Sequence, residues 1–112
     1  MAEYFKALNA DHVAFIDAQS MFFVPTADAD SPINVSPKGM DSLRILDDKR
    51  LVWMSLTGSG NETYAHLQSK PRVTLMWCTF AEQPLILRVY GNAKRILPSD
   101  DAFSDYGVLM PE

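Results

Sequence analysis

The chain has 112 residues, 47% of them apolar and 21% charged, a size and balance that give one globular domain with one core. A net charge of -4, with no cluster of lysines and arginines, excludes binding to a nucleic-acid backbone as the main role. No apolar run is long enough to span a membrane, no basic-then-apolar leader is present, and the single cysteine, Cys78, allows no internal disulfide, so a cytoplasmic protein is expected.

Tyr4, Phe5 and Leu8 are spaced to lay one apolar face down. Asn9 or Asp11 is placed to cap a helix running to about Gln19, with Val13, Ile16 and Phe15 turned inward. Met21 to Val24 reads as a buried strand. Pro25 weakens its ladder and predicts an edge or a strand end. Asp28-Ala29-Asp30-Ser31 is a turn leading to a second strand at Pro32–Ser36, so the two strands form a hairpin. Pro37-Lys38-Gly39 is expected to end that strand. Leu43–Leu46 and Leu51–Leu56 read as strands three and four, joined by a turn at Asp47–Arg50.

Gly58-Ser59-Gly60 follows directly, and Ser59 with Glu62 has the spacing of a capping box. A short helix is expected here, ended by Pro71, which disfavours helical geometry at Lys70. Strand, glycine turn, helix start and strand is a layout that holds an anion, because backbone N–H groups point out of the first helical turn. The plainer alternative is a capped helix between two strands with no ligand. Arg72–Phe80 and Leu85–Leu97 read as the last two strands, the second bent at Gly91 and stopped by Pro98. Ser99 to Phe103 is expected to start a short acidic helix. Six strand-like runs with one internal helix predict a mainly-β fold, an antiparallel barrel with peripheral helices. A parallel sheet would need a helix between most strands.

His12 and His66 fall on different predicted helices with no ligand partner at metal spacing, so no metal site is expected. No serine stands in a nucleophile-elbow context, and Thr57-Gly58-Ser59-Gly60 lacks the lysine of a P-loop and the third glycine of a dinucleotide motif. Cys78, inside an apolar strand, is read as a small core residue rather than a nucleophile. The remaining candidates are small polar and basic groups at strand ends: Asn34, Ser36, Lys38, Ser55, Thr57, Ser59, Asn61 and Thr63. Lys38 suits a phosphate as a point charge, or is simply a solvated turn lysine. Trp53, Trp77 and Tyr90 either stack on a ring or fill a core or interface. Arg88 lies among Leu85, Ile86, Leu87 and Val89, so its guanidinium needs an acid, a subunit boundary, a ligand or an exit to water.

Phe22–Ala27, Asn34-Val35-Ser36-Pro37-Lys38-Gly39, Thr57-Gly58-Ser59-Gly60-Asn61-Glu62-Thr63, His66-Leu67 and Pro71–Met76 resemble, in order and spacing, the flavin-binding split-barrel proteins related to pyridoxamine 5'-phosphate oxidase. The likeness covers Val13 to Leu97. It implies a homodimer of six-stranded antiparallel split barrels, with FMN held in clefts between the subunits. It places Ser36, Pro37 and Lys38 beside the flavin, Ser55, Leu56 and Thr57 on the next strand, and Asn61, Glu62 and Thr63 at the helix facing the phosphate. The oxidases of the family carry an Arg-Lys pair where Glu62 and Thr63 stand here, so synthesis of pyridoxal phosphate is not expected. Relatives usually continue beyond the Leu85–Leu97 strand, so residues 1–112 are expected to form a single domain in which either the barrel lacks a closing strand or a partner subunit covers the gap. The expected function is an FMN-dependent oxidoreductase of unassigned substrate and with no assigned catalytic residue. The alternative is a non-catalytic flavin or haem binding protein on the same fold, and a third possibility is a dimeric scaffold with no ligand.

Overall fold

The computed structural model describes residues 3–27, 30, 32–39, 41–54, 71–81, 84–94 and 96. Helix α1 (Ala10–Ala18) is followed by strands β1 (Met21–Thr26), β2 (Asn34–Gly39), β3 (Leu43–Asp47), β4 (Arg50–Trp53), β5 (Arg72–Thr79) and β6 (Leu85–Asn92). All strand pairings are antiparallel. One sheet has the order β2-β1-β5-β6, and β3 and β4 form a separate two-stranded sheet. This is the mainly-β, antiparallel architecture that the strand pattern predicts, and it is consistent with the split barrel that the resemblance implies.

Asn9 starts α1. Its side chain accepts the His12 N–H at 2.9 Å, and its own N–H donates to His12 Nδ1 at 3.1 Å. The histidine takes the place that Glu or Gln holds in a capping box. Ile16 is buried, with Val13 and Phe15 half-buried beside it. The apolar face expected of the first residues is reduced to Leu8. Tyr4 and Phe5 are 87% and 56% exposed, and the Phe5 ring stands edge-on to His12 at 4.7 Å.

The core follows from strict alternation. Phe22, Val24 and Thr26 of β1 are buried, as are Val73, Leu75 and Trp77 of β5. Phe22 and Trp77 stack with ring centroids 5.7 Å apart. Leu43, Ile45, Leu51 and Trp53 of the two-stranded sheet pack against this cluster, together with Ile16. Burying one such large apolar side chain stabilises the fold by about 1.5–3 kcal/mol. Cys78 falls on the opposite parity from Trp77. It is half-buried on the outer face and paired with Ile86, so it is not the core residue expected from its apolar setting.

Two strand ends differ from expectation. Strand β1 runs on through Pro25 to Thr26 and lies between β2 and β5, so it is not an edge strand. Proline is accommodated because β1 meets β5 around Phe23 and Met76, short of Pro25. Strand β2 begins later than expected and continues through Pro37-Lys38-Gly39 instead of ending there, with Gly39 opposite Met21. As an outer strand, β2 tolerates a proline that lacks an N–H. Gly91 lies within the β5–β6 ladder opposite Val73, and Ala93 N–H still donates to Pro71 O at 2.7 Å. The predicted helices at Ser59–Lys70 and Ser99–Phe103 lie outside the described residues. Among the described residues no helix is long and apolar enough to cross a membrane.

Candidate functional site

The described part of the predicted site is strand β2. Its alternation puts Asn34, Ser36 and Lys38 on the inner face, with Ser36 opposite Val24 and Lys38 opposite Phe22. Polar residues therefore occupy the side of the sheet on which β1 and β5 carry their core residues. Ser36 is 3% exposed and its Oγ accepts the Asn34 amide Nδ2–H at 2.8 Å. Lys38 is 8% exposed, and burial lowers its pKa below the ordinary lysine value. Pro37 points the other way, onto the exposed outer face, so alternation separates it from Ser36 and Lys38.

Ser55, Leu56, Thr57, Asn61, Glu62 and Thr63 lie outside the described residues. Strand β4 ends at Trp53, just before the first of them. Trp53 is half-buried against the core, Trp77 is 1% exposed within it, and Tyr90 is 69% exposed. Arg88 takes the exit to water within the protomer. It is exposed on the outer face and forms no ion pair among the described residues. No cluster of metal-ligating side chains occurs among the described residues.

A cleft of about 100 Å³ opens between the end of α1, the starts of β1 and β3 and the end of β2 at Gly39. It is lined by Ile16, Ser20, Gly39, Ser42 and Trp77, among others. A Cβ at Gly39 would come within 2.9 Å of Ser20 O, so glycine is required for this close approach. The Ser42 Oγ is buried with no hydrogen-bond partner among the described residues. Ligand pockets usually measure about 300–1,000 Å³, so this cleft does not hold a flavin. It was not legible in the sequence, because the residues that build it come from three separate stretches of chain.

The turn into β3 is fixed by charge. Asp41 has φ 58, a left-handed conformation that aspartate tolerates better than most residues. Arg44 clamps its carboxylate through Nη1 at 2.7 Å and Nη2 at 3.1 Å. The clamp fixes the chain directly after the lysine-bearing strand.

A family model described as pyridoxamine 5'-phosphate oxidase matches residues 8–109. The chain belongs to the pyridoxamine 5'-phosphate oxidase family. It is 36% identical over 109 residues to the pyridoxamine 5'-phosphate oxidase family protein ustO of Aspergillus flavus, an alignment covering 95% of this chain. The chain spans 44% of that curated relative's length. No solved structure gives a significant match. Pyridoxamine 5'-phosphate oxidase family members commonly bind flavin. Of the residues expected at the cofactor, Ser36, Pro37 and Lys38 are among the described residues.

Proposed function

We propose that the chain is an FMN-binding, oxidoreductase-like protein that works as a homodimer in the cytoplasm. The observation that carries this is Lys38: a lysine held 8% exposed on a sheet face, beside the buried hydroxyl of Ser36. A cation in that setting suits a ligand that brings its own negative charge, and the FMN phosphate does so. Ser36, Lys38, Ser55, Thr57, Asn61 and Thr63 would supply hydroxyls, amides and one positive charge, with Pro37 and Leu56 giving the strands their shape. Glu62 would turn back to cap its own helix and keep its carboxylate off the phosphate. A bound isoalloxazine would supply the electron transfer, while the protein binds, orients and shields it. No side chain is assigned as acid or base. The homodimer is supported by Phe80 and Tyr90, 86% and 69% exposed in the protomer.

The test is a titration of purified protein with FMN and with riboflavin, followed by flavin fluorescence. Tight FMN binding that Glu62→Gln leaves unchanged or improves is the expected result. Absence of flavin binding by the wild type rejects the proposal. Bleaching of the bound flavin by a nicotinamide donor, with reoxidation by an acceptor, separates an oxidoreductase from a flavin carrier. Selective uptake of haem would favour the non-catalytic alternative.

A further inference from the structure

The inner face of β2 carries a file of polar side chains at every second residue, Asn34, Ser36 and Lys38. Asn34 lies opposite Thr26 of β1, which is itself buried on the core side. The polar ground thus extends past Ser36, away from Lys38, onto two strands. Ser36 and Lys38 are buried, and Asn34 is half-buried at the end of the file. Residues two apart on a strand stand about 6.6 Å from each other along the backbone. The Asn34 amide leans along the strand to close that gap, and its Nδ2–H donates to Ser36 Oγ at 2.8 Å.

The direction of this bond decides what Ser36 offers to a ligand. A serine hydroxyl has one hydrogen and two lone pairs. With one lone pair held by Asn34, the hydrogen turns elsewhere and the hydroxyl acts as a donor. A phosphate or other anion only accepts hydrogen bonds, and bonds to a charged acceptor are about twice as strong as neutral ones. A neutral ligand with donors and acceptors of its own gains much less from a fixed hydroxyl. Asn34 has a second amide hydrogen and a carbonyl oxygen, so it holds Ser36 and still meets other groups.

We propose that Asn34 is a positioning residue of the flavin site, which turns the Ser36 hydroxyl hydrogen toward the phosphate expected beside Lys38. This rests on the FMN reading above and assigns to Asn34 part of the preference for a phosphate-bearing flavin over a neutral one. Asn34 acts through Ser36, so its effect vanishes with the Ser36 hydroxyl. The reverse bond, from the Ser36 hydroxyl to Asn34 Oδ1, would present lone pairs to the ligand and disfavour an anion.

The test is a double-mutant cycle on the full chain with Asn34→Ala, Ser36→Ala and the pair. Affinities for FMN and riboflavin are read by flavin fluorescence, with circular dichroism confirming that each variant is folded. Asn34→Ala weakens FMN about fivefold and leaves riboflavin within about twofold. In the Ser36→Ala background the same change has no further effect on either flavin. Asn34→Asp, close in size, draws the Ser36 hydrogen onto its own carboxylate and weakens FMN more than Asn34→Ala does. It supplies the same comparison if alanine unfolds the strand end. Equal losses for both flavins, a loss that persists without the Ser36 hydroxyl, or unchanged or improved FMN binding in Asn34→Ala overturns the positioning role and leaves the flavin site standing. A wild type that binds neither flavin overturns both.

Discussion

The two outer strands of the four-stranded sheet break the hydrophobic rule in opposite directions. Strand β2 buries a serine and a lysine on the core side and puts Val35, 57% exposed, and Pro37 in water. Strand β6 buries nothing fully and exposes Leu85, Ile86 and Tyr90. The central strands β1 and β5, between them, follow the rule closely. Departures from patterning at an edge mark places where something besides the protomer's own core decides the residue. The buried polar groups of β2 and the exposed apolar groups of β6 are the two departures, and the proposed cofactor site uses the first.

The comparison requires that the centre, not the edges, holds the fold. Trp77→Ala removes a ring that is 1% exposed and stacked on Phe22, and it should cost about 3–5 kcal/mol. That is a large share of the roughly 5–15 kcal/mol by which such domains are stable. Urea unfolding of this variant should show a collapsed midpoint. A midpoint close to wild type would mean that the sheet does not depend on its central pair.

The difference between centre and edges also sets what was legible in the sequence. The apolar runs at Met21–Val24 and Arg72–Phe80 give the strands, while Trp77 stays open between a core and a ring until the structure places it in the core. Asn9 announces the helix start, as its hydrogen bond with His12 confirms. At the edges the local signals mislead. Pro37 reads as a strand end, because a proline in a central strand would remove a ladder bond. Only knowledge that β2 is an outer strand allows the run to continue to Gly39. Lys38 reads as a solvated turn lysine for the same reason, and its burial follows once the strand is extended past Pro37. Cys78 was misplaced because an apolar run has no inner side until its partner's register is known. The motif at Thr57–Thr63, which carries much of the family likeness, falls outside the described residues, so its reading rests on sequence.

The ligand side of the comparison is tested at Lys38. Lys38→Ala removes a charge-assisted contact, and FMN affinity should fall by about 1.5–3 kcal/mol, roughly tenfold to over a hundredfold. Riboflavin, without a phosphate, should be affected less. Equal losses for both ligands would put Lys38 on the ring, and no loss for either would remove it from the site.

A smaller effect concerns stability and pH. Burial lowers the Lys38 pKa in the folded state below its ordinary value of 10.5. Between those two values the unfolded chain binds the proton and the folded chain sheds it, so this group makes stability rise with pH in the alkaline range. At neutral pH both states hold the proton, and the folded state carries the cost that lowers the pKa. Lys38→Met keeps most of the volume and removes the charge. Its stability relative to wild type should therefore be greatest near neutral pH and shrink as pH approaches 10.5. Urea midpoints of both proteins across that range would show it. A difference independent of pH would mean that desolvation of Lys38 does not shape the edge.

The smallest effect tests the β2 edge of that comparison directly. Pro37 sits on the exposed outer face of β2, opposite Phe23. Replacing it by valine restores a backbone N–H and adds a residue that favours strands. The protomer should change little in stability, within about 0.5 kcal/mol, because the site is at the surface and the strand pairing is already formed. Association should change instead. If Pro37 is what keeps β2 from accepting a strand, Pro37→Val makes that edge receptive, and species larger than the wild-type assembly should appear as concentration rises. Sedimentation velocity at several concentrations distinguishes the outcomes. Growth beyond the wild-type assembly in Pro37→Val is what a newly receptive β2 edge requires. A variant that stays at the wild-type assembly state at every concentration would show that proline does not keep β2 from pairing, and that side chains along β2 block it.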